Sequence, residues 1–136
     1  MSAIDEQVGG GHYKQMPIQP FEFTAANDLG GLEHTVVKYI SRWPQKGGIE
    51  DIRKCRHTLQ FLQEKAGSLI EIRSGRPMPY GITPTEYSEA NNLGRFESDV
   101  VFWVWIWQRN RLECALGFAI ACCEALIHQE LSGEED

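Results

Sequence analysis

Residues 18–43 and 82–107 of this chain align with each other without a gap, at a constant offset of sixty-four. Ile18/Ile82, Pro20/Pro84, Glu22/Glu86, Ala26/Ala90, Asn27/Asn91, Leu29/Leu93, Gly30/Gly94, Glu33/Glu97, Val36/Val100, Val37/Val101 and Trp43/Trp107 are identical. Phe23/Tyr87, Thr24/Ser88, Leu32/Phe96, Tyr39/Trp103 and Ile40/Val104 are close matches. A repeat of this kind builds one supersecondary unit twice, so the fold must be one that two like units can share. The copies then diverge in one specific way. Lys38, Arg42 and Gly47-Gly48 of the first become Phe102, Ile106 and Arg111-Leu112 in the second.

The apolar period is helical. Leu32, Val36, Ile40 and Trp43 recur three or four apart, as one buried helix face requires. Pro44 disfavours further α geometry at Trp43. A long helix is expected from Gly48 or Ile49, burying Ile52, Cys55, Leu59 and Leu62 and ending near Gly67. A short one over residues 20–27 precedes both, with Gly30 as a left-handed cap. The second copy repeats the plan, with helices over 84–92, from Gly94 through Trp107, and over about 110–131. No alternation argues for a strand. The expected fold is all-α: a duplicated three-helix unit forming a pseudo-twofold six-helix domain. Its parts are a flexible arm (1–10), a first, polar repeat (11–67), a linker (68–81), a second, hydrophobic repeat (82–131) and an acidic tail (132–136).

Composition bounds the function classes. With 136 residues, 42% hydrophobic and 24% charged, the chain suits one globular domain. Its longest apolar run, residues 100–107, is too short for a membrane span, and the start of the chain has no signal-peptide core. Four cysteines without metal-ligand spacing (Cys55, Cys114, Cys122, Cys123) are expected as small buried hydrophobes in a reducing, cytoplasmic setting. Net charge is −6 but uneven. Up to Arg76 ten basic residues face nine acidic ones; beyond it three face ten. That balance argues against direct nucleic-acid binding and leaves room for a small anion on the first half. Val100 to Trp107 is apolar on every side, so it is expected to be buried on every side, partly by a second copy of the chain.

His34, Lys38 and Arg42 follow one another at helical spacing and share a face. Lys46-Gly47-Gly48 then leads into a helix N-terminus, whose free N–H groups and positive dipole end favour a phosphate. The expected phosphate site is Lys38, Arg42, Lys46 and the Gly47-Gly48 turn, although the glycines also suit a plain turn after Pro44. Walker, dinucleotide-binding, zinc-protease and serine-hydrolase signatures are all absent. Asp51 has no acidic counterpart in the second copy, which makes it the candidate for magnesium or for orienting an acceptor. Glu33 recurs as Glu97 and reads as structural. His12-Tyr13 is the candidate base-contacting pair.

His12-Tyr13, Pro17-Ile18-Gln19-Pro20, Val37-Lys38-Tyr39-Ile40-Ser41-Arg42 and the block from Lys46 through Gly48 and Asp51 to Cys55 together resemble a small phage-encoded family. Its pattern is His-Tyr, then Lys-Tyr-x-x-Arg, then Lys-x-Gly, then Asp-Leu-x-Lys-Ala. Most members are of unknown function, and the characterised branch phosphorylates deoxynucleoside monophosphates without a Walker loop. The resemblance covers residues 11–65. It implies roles for His12, Tyr13, Lys38, Tyr39, Arg42, Lys46, Asp51 and Lys54, with Lys54 joining the phosphate contacts. It departs at His34-Thr35, where the family carries Gly-Asn.

The expected function is nucleotide binding, with phosphoryl transfer from ATP to a nucleoside monophosphate as its catalytic form. Lys38 and Asp51 would then be the catalytic groups and Mg2+ the cofactor. The rival is a non-catalytic phage protein that sequesters a nucleotide signal, or that binds and blocks a host defence complex. A helical nucleotide pyrophosphatase ranks last, because only Glu50 and Asp51 are adjacent and they point differently.

Overall fold

Turn chemistry at the helix ends sets the architecture. The computed structural model describes residues 16–73 and 81–133, residues 68–73 as backbone only. Within them the chain is all-helical: α1 (Pro20–Ala26), α2 (Gly31–Arg42), α3 (Gly48–Arg73), α4 (Pro84–Ala90), α5 (Arg95–Asn110) and α6 (Glu113–Gly133). Proline opens both α1 and α4, where its missing N–H costs no helical bond. The Glu22 carboxylate accepts the Gln19 N–H at 3.0 Å, and Thr83 Oγ1 accepts the Glu86 N–H at 3.0 Å.

The left-handed residues after α1 and α4 are Asp28 (φ 51°) and Asn92 (φ 57°), the types that tolerate this geometry. Gly30 is not the left-handed cap that the sequence suggests, and Gly94 in the second copy behaves as it does. Both are extended N-caps, of α2 and α5. Their missing Cβ makes room instead for a carboxylate, since a Cβ there would lie 2.6 Å from Glu33 Oε1 or 2.7 Å from Glu97 Oε1.

Core burial follows the expected faces. Val36, Val37 and Ile40 of α2 pack with Ile52, Cys55, Leu59 and Leu62 of α3, and with Val100, Val101, Val104 and Trp107 of α5. A fully buried aliphatic side chain of this kind contributes roughly 1.5–3 kcal/mol. The helix α6 has the length and apolar composition of a membrane-crossing helix. Here Ala115, Leu116, Ala119, Cys123 and Leu126 bury one side of it against α3 and α5.

Polar contacts tie the two units together with roles exchanged. Trp107 Nε1 donates to Glu33 Oε2 at 3.0 Å, and Trp43 Nε1 donates to Glu97 Oε2 at 3.2 Å. Asn27 Nδ2 donates to the Ile82 carbonyl at 2.7 Å, and Asn91 Nδ2 donates to the Ile18 carbonyl at 2.7 Å. Phe23 and Tyr87, also sixty-four apart, touch each other with ring centroids 4.8 Å apart.

Several sequence expectations shift. The helix α3 continues six residues past Gly67 to Arg73, into the stretch read as linker. The helix α6 starts at Glu113, because Arg111 turns left-handed (φ 50°), and it runs into the expected tail as far as Gly133. Cys114 is exposed and Cys122 half-buried, while Cys55 and Cys123 are buried as expected. The 100–107 stretch is not buried on every side. Phe102 is 39% exposed, and Trp103, Trp105 and Ile106 are half-buried, because α2, α4 and α6 cover only part of its circumference.

Candidate functional site

The predicted cations converge on one aromatic ring. Tyr39, half-buried on α2, has the Arg42 guanidinium carbon 4.5 Å from its ring centroid. Lys54 Nζ, reaching over from α3, is at 5.2 Å and Lys38 Nζ at 5.4 Å. Cations favour a ring face because of its quadrupole. Three of them around one ring also repel one another, and an acid or a bound anion relieves that repulsion.

Asp51 relieves part of it. Its carboxylate is 1% exposed and accepts from Arg42 Nε at 2.9 Å and Arg42 Nη2 at 3.3 Å, a two-point charged contact. Gly47 and Gly48, where the chain enters α3, shape this arrangement. A Cβ on Gly47 would overlap the Asp51 carboxylate, and Gly48 is left-handed at φ +57°. The space beside Gly47 that a phosphate oxygen would occupy therefore holds Asp51. No described acidic side chain pairs with Lys38 or Lys54. Lys46 is exposed in the turn after α2 and is not one of the cations around Tyr39. His12 and Tyr13 lie outside the described residues.

The Asp51 carboxylate is committed to Arg42. Both its oxygens are engaged by Arg42, and the described residues contain no group of three or more His, Cys, Asp or Glu side chains placed for a metal. The neighbouring Glu50 faces outward and pairs with Arg53.

The second unit has the opposite chemistry at the same addresses. Sixty-four residues after Tyr39, Trp103 is flanked by Phe102 at 4.9 Å and Phe118 at 4.8 Å, which in sequence lie sixty-four residues after Lys38 and Lys54. Ile106 replaces Arg42 and Ala115 replaces Asp51. A ring set among cations in one half is a ring set among aromatics in the other.

Phe21 of α1, which meets the cluster through His34, was not visible from spacing. His34 Nδ1 is 2.9 Å from Thr24 Oγ1, and its ring stacks on Phe21 with centroids 4.8 Å apart at 25°. Burial lowers the His34 pKa, and the nearby Lys38 charge lowers it further. The only sequence signal for Phe21 is its replacement by Thr85 in the second copy. A cleft of about 360 Å³ lies elsewhere, lined by Met16, Pro17, Ser41, Gln45 and Ala90 to Asn92. No family model matches the chain, and neither a curated protein nor a solved structure matches it.

Proposed function

We propose that this protein binds phosphate-bearing nucleotides through Lys38, Lys54 and Arg42, and holds them without transferring a phosphoryl group. The observation that carries this reading is the convergence of three cations on Tyr39, with Asp51 the acid paired to them among the described residues. The resemblance to a small phage-encoded family, whose characterised branch is a nucleotide kinase, supports the ligand class. The engagement of Asp51 by Arg42 favours retention over turnover, since transfer needs a free group to orient the acceptor. Magnesium in this reading arrives on the nucleotide's own phosphates. A phage protein of this kind would sequester a nucleotide signal in the cytoplasm of its host.

Calorimetric titration with ATP and deoxynucleoside monophosphates, with and without magnesium, tests it. Binding is expected in the wild type and a loss of at least tenfold in the Lys38→Ala, Lys54→Ala double variant. No phosphorylated product should form from ATP plus a monophosphate. Product formation would restore the kinase reading. Absence of any nucleotide response would favour a blocker of a host protein complex.

The exchanged Trp–Glu and Asn–carbonyl bonds support reading the two units as related by a pseudo-twofold axis passing near Phe23 and Tyr87. Exposed Phe102 and Phe118 on either side of Trp103 favour a homo-oligomer through this face. Light scattering on the Phe102→Lys, Phe118→Lys double variant should then show a smaller particle than the wild type. Equal masses would remove that part of the reading.

A further inference from the structure

We propose that Phe21, backed by His34, is the stacking platform for the base of the nucleotide whose phosphate rests on Lys38 and Lys54; this rests on the phosphate reading above. Phe21 is 69% exposed, the most exposed large hydrophobic side chain among the described residues. A lone exposed apolar ring is ordinary. This one is not alone, because the His34 ring lies nearly parallel beneath it at 4.8 Å.

Thr24 Oγ1 holds His34 Nδ1 at 2.9 Å and so fixes the orientation of the imidazole. Along α2 the next turn after His34 carries Lys38, about 6 Å further on. Phe21, His34, Lys38, Tyr39 and Lys54 thus form one strip, aromatic at one end and cationic at the other. A nucleotide has the same two ends.

The second unit shows that the scaffold does not need this pair. Thr85 and Ser98 occupy the addresses of Phe21 and His34, and Phe102 that of Lys38. Ser88, at the address of Thr24, is left with its buried Oγ without a hydrogen-bond partner among the described residues. The ring pair is present in the half that has cations and absent from the half that lacks them. Stacking tolerates every base, since each has a π face, so the platform confers affinity for nucleotides as a class.

The test is calorimetry on the full chain with three probes: 5′-AMP, 5′-UMP and ribose 5-phosphate. The wild type should bind both nucleotides about tenfold or more tighter than ribose 5-phosphate, the range of one stacked base. Phe21→Thr, which installs the second unit's residue, should remove that advantage and leave ribose 5-phosphate binding unchanged. Phe21→Tyr should retain it, and Lys38→Ala should weaken all three probes. Equal affinity for the three probes in the wild type, or a Phe21→Thr variant that keeps the nucleotide preference, overturns the platform and leaves the phosphate site standing. No binding of any probe overturns the phosphate site and the platform with it.

Discussion

Trp107 donates its indole N–H to the Glu33 carboxylate at 3.0 Å, with both side chains buried. The bond joins α5 of the second unit to the first turn of α2 in the first. Arg111 also reaches Glu33, at 3.8 Å, so the carboxylate is not left without compensating charge. Trp107→Phe removes the donor and part of the ring volume while keeping an aromatic core. A hydrogen bond to a charged group is worth about 1.5–3 kcal/mol, and the small cavity adds to the loss. The equivalent change Trp43→Phe, at a half-buried ring, should cost less. Urea denaturation of both variants orders them. A smaller loss for Trp107→Phe than for Trp43→Phe would contradict the assignment.

Arg42 is expected to matter to folding more than to ligand affinity. Removing it leaves the Asp51 carboxylate buried without its partner, which typically costs about 3–5 kcal/mol. Arg42→Ala should therefore lower the denaturation midpoint far more than Lys38→Ala or Lys54→Ala. Arg42→Lys should rescue little, because an ammonium cannot supply the two-point contact. Similar midpoints for all three alanine variants would show that the Arg42–Asp51 pair is dispensable.

The two glycines at the entry to α3 should fail for different reasons when substituted. Gly47→Ala drives a methyl group into the Asp51 carboxylate and breaks its contact with Arg42. Gly48→Ala meets open space and costs only the left-handed backbone penalty of about 1–2 kcal/mol. Thermal melts should place Gly47→Ala clearly below Gly48→Ala. The reverse order would mean that Asp51 gives way easily.

His34 sets a pH dependence with a definite sign. Its folded pKa lies below the ordinary histidine value of 6.5, first from burial and then from Lys38. Between the folded and unfolded values the unfolded chain binds more protons, so stability rises with pH. The contribution of His34 is complete above about pH 6.5 and is lost as pH falls through its lowered folded value. Denaturation midpoints across pH 5 to 7.5 should show a slope that His34→Gln reduces. An unchanged slope would place the dependence on other groups.

Helix number and the apolar faces were legible in the sequence, because the repeat printed one pattern twice and Val36, Ile40, Val100 and Val104 fall on one helical period. The capping residues were not. Gly30 looked like a left-handed cap by type, but Asp28 takes that geometry and Gly30 yields to a carboxylate arriving from three residues on. Gathering Lys38, Arg42 and Lys54 was partly legible: the first two share a helix face, and only the resemblance put Lys54 with them. The capture of Asp51 by Arg42 and the stacking of Phe21 on His34 join different helices, and no spacing along one helix encodes either contact.

The side-chain amides of Asn27 and Asn91 each close on a main-chain carbonyl just before the other unit's short helix. Each half thereby receives at its entrance the same fastening that it gives, so loss of either amide removes a contact between the halves.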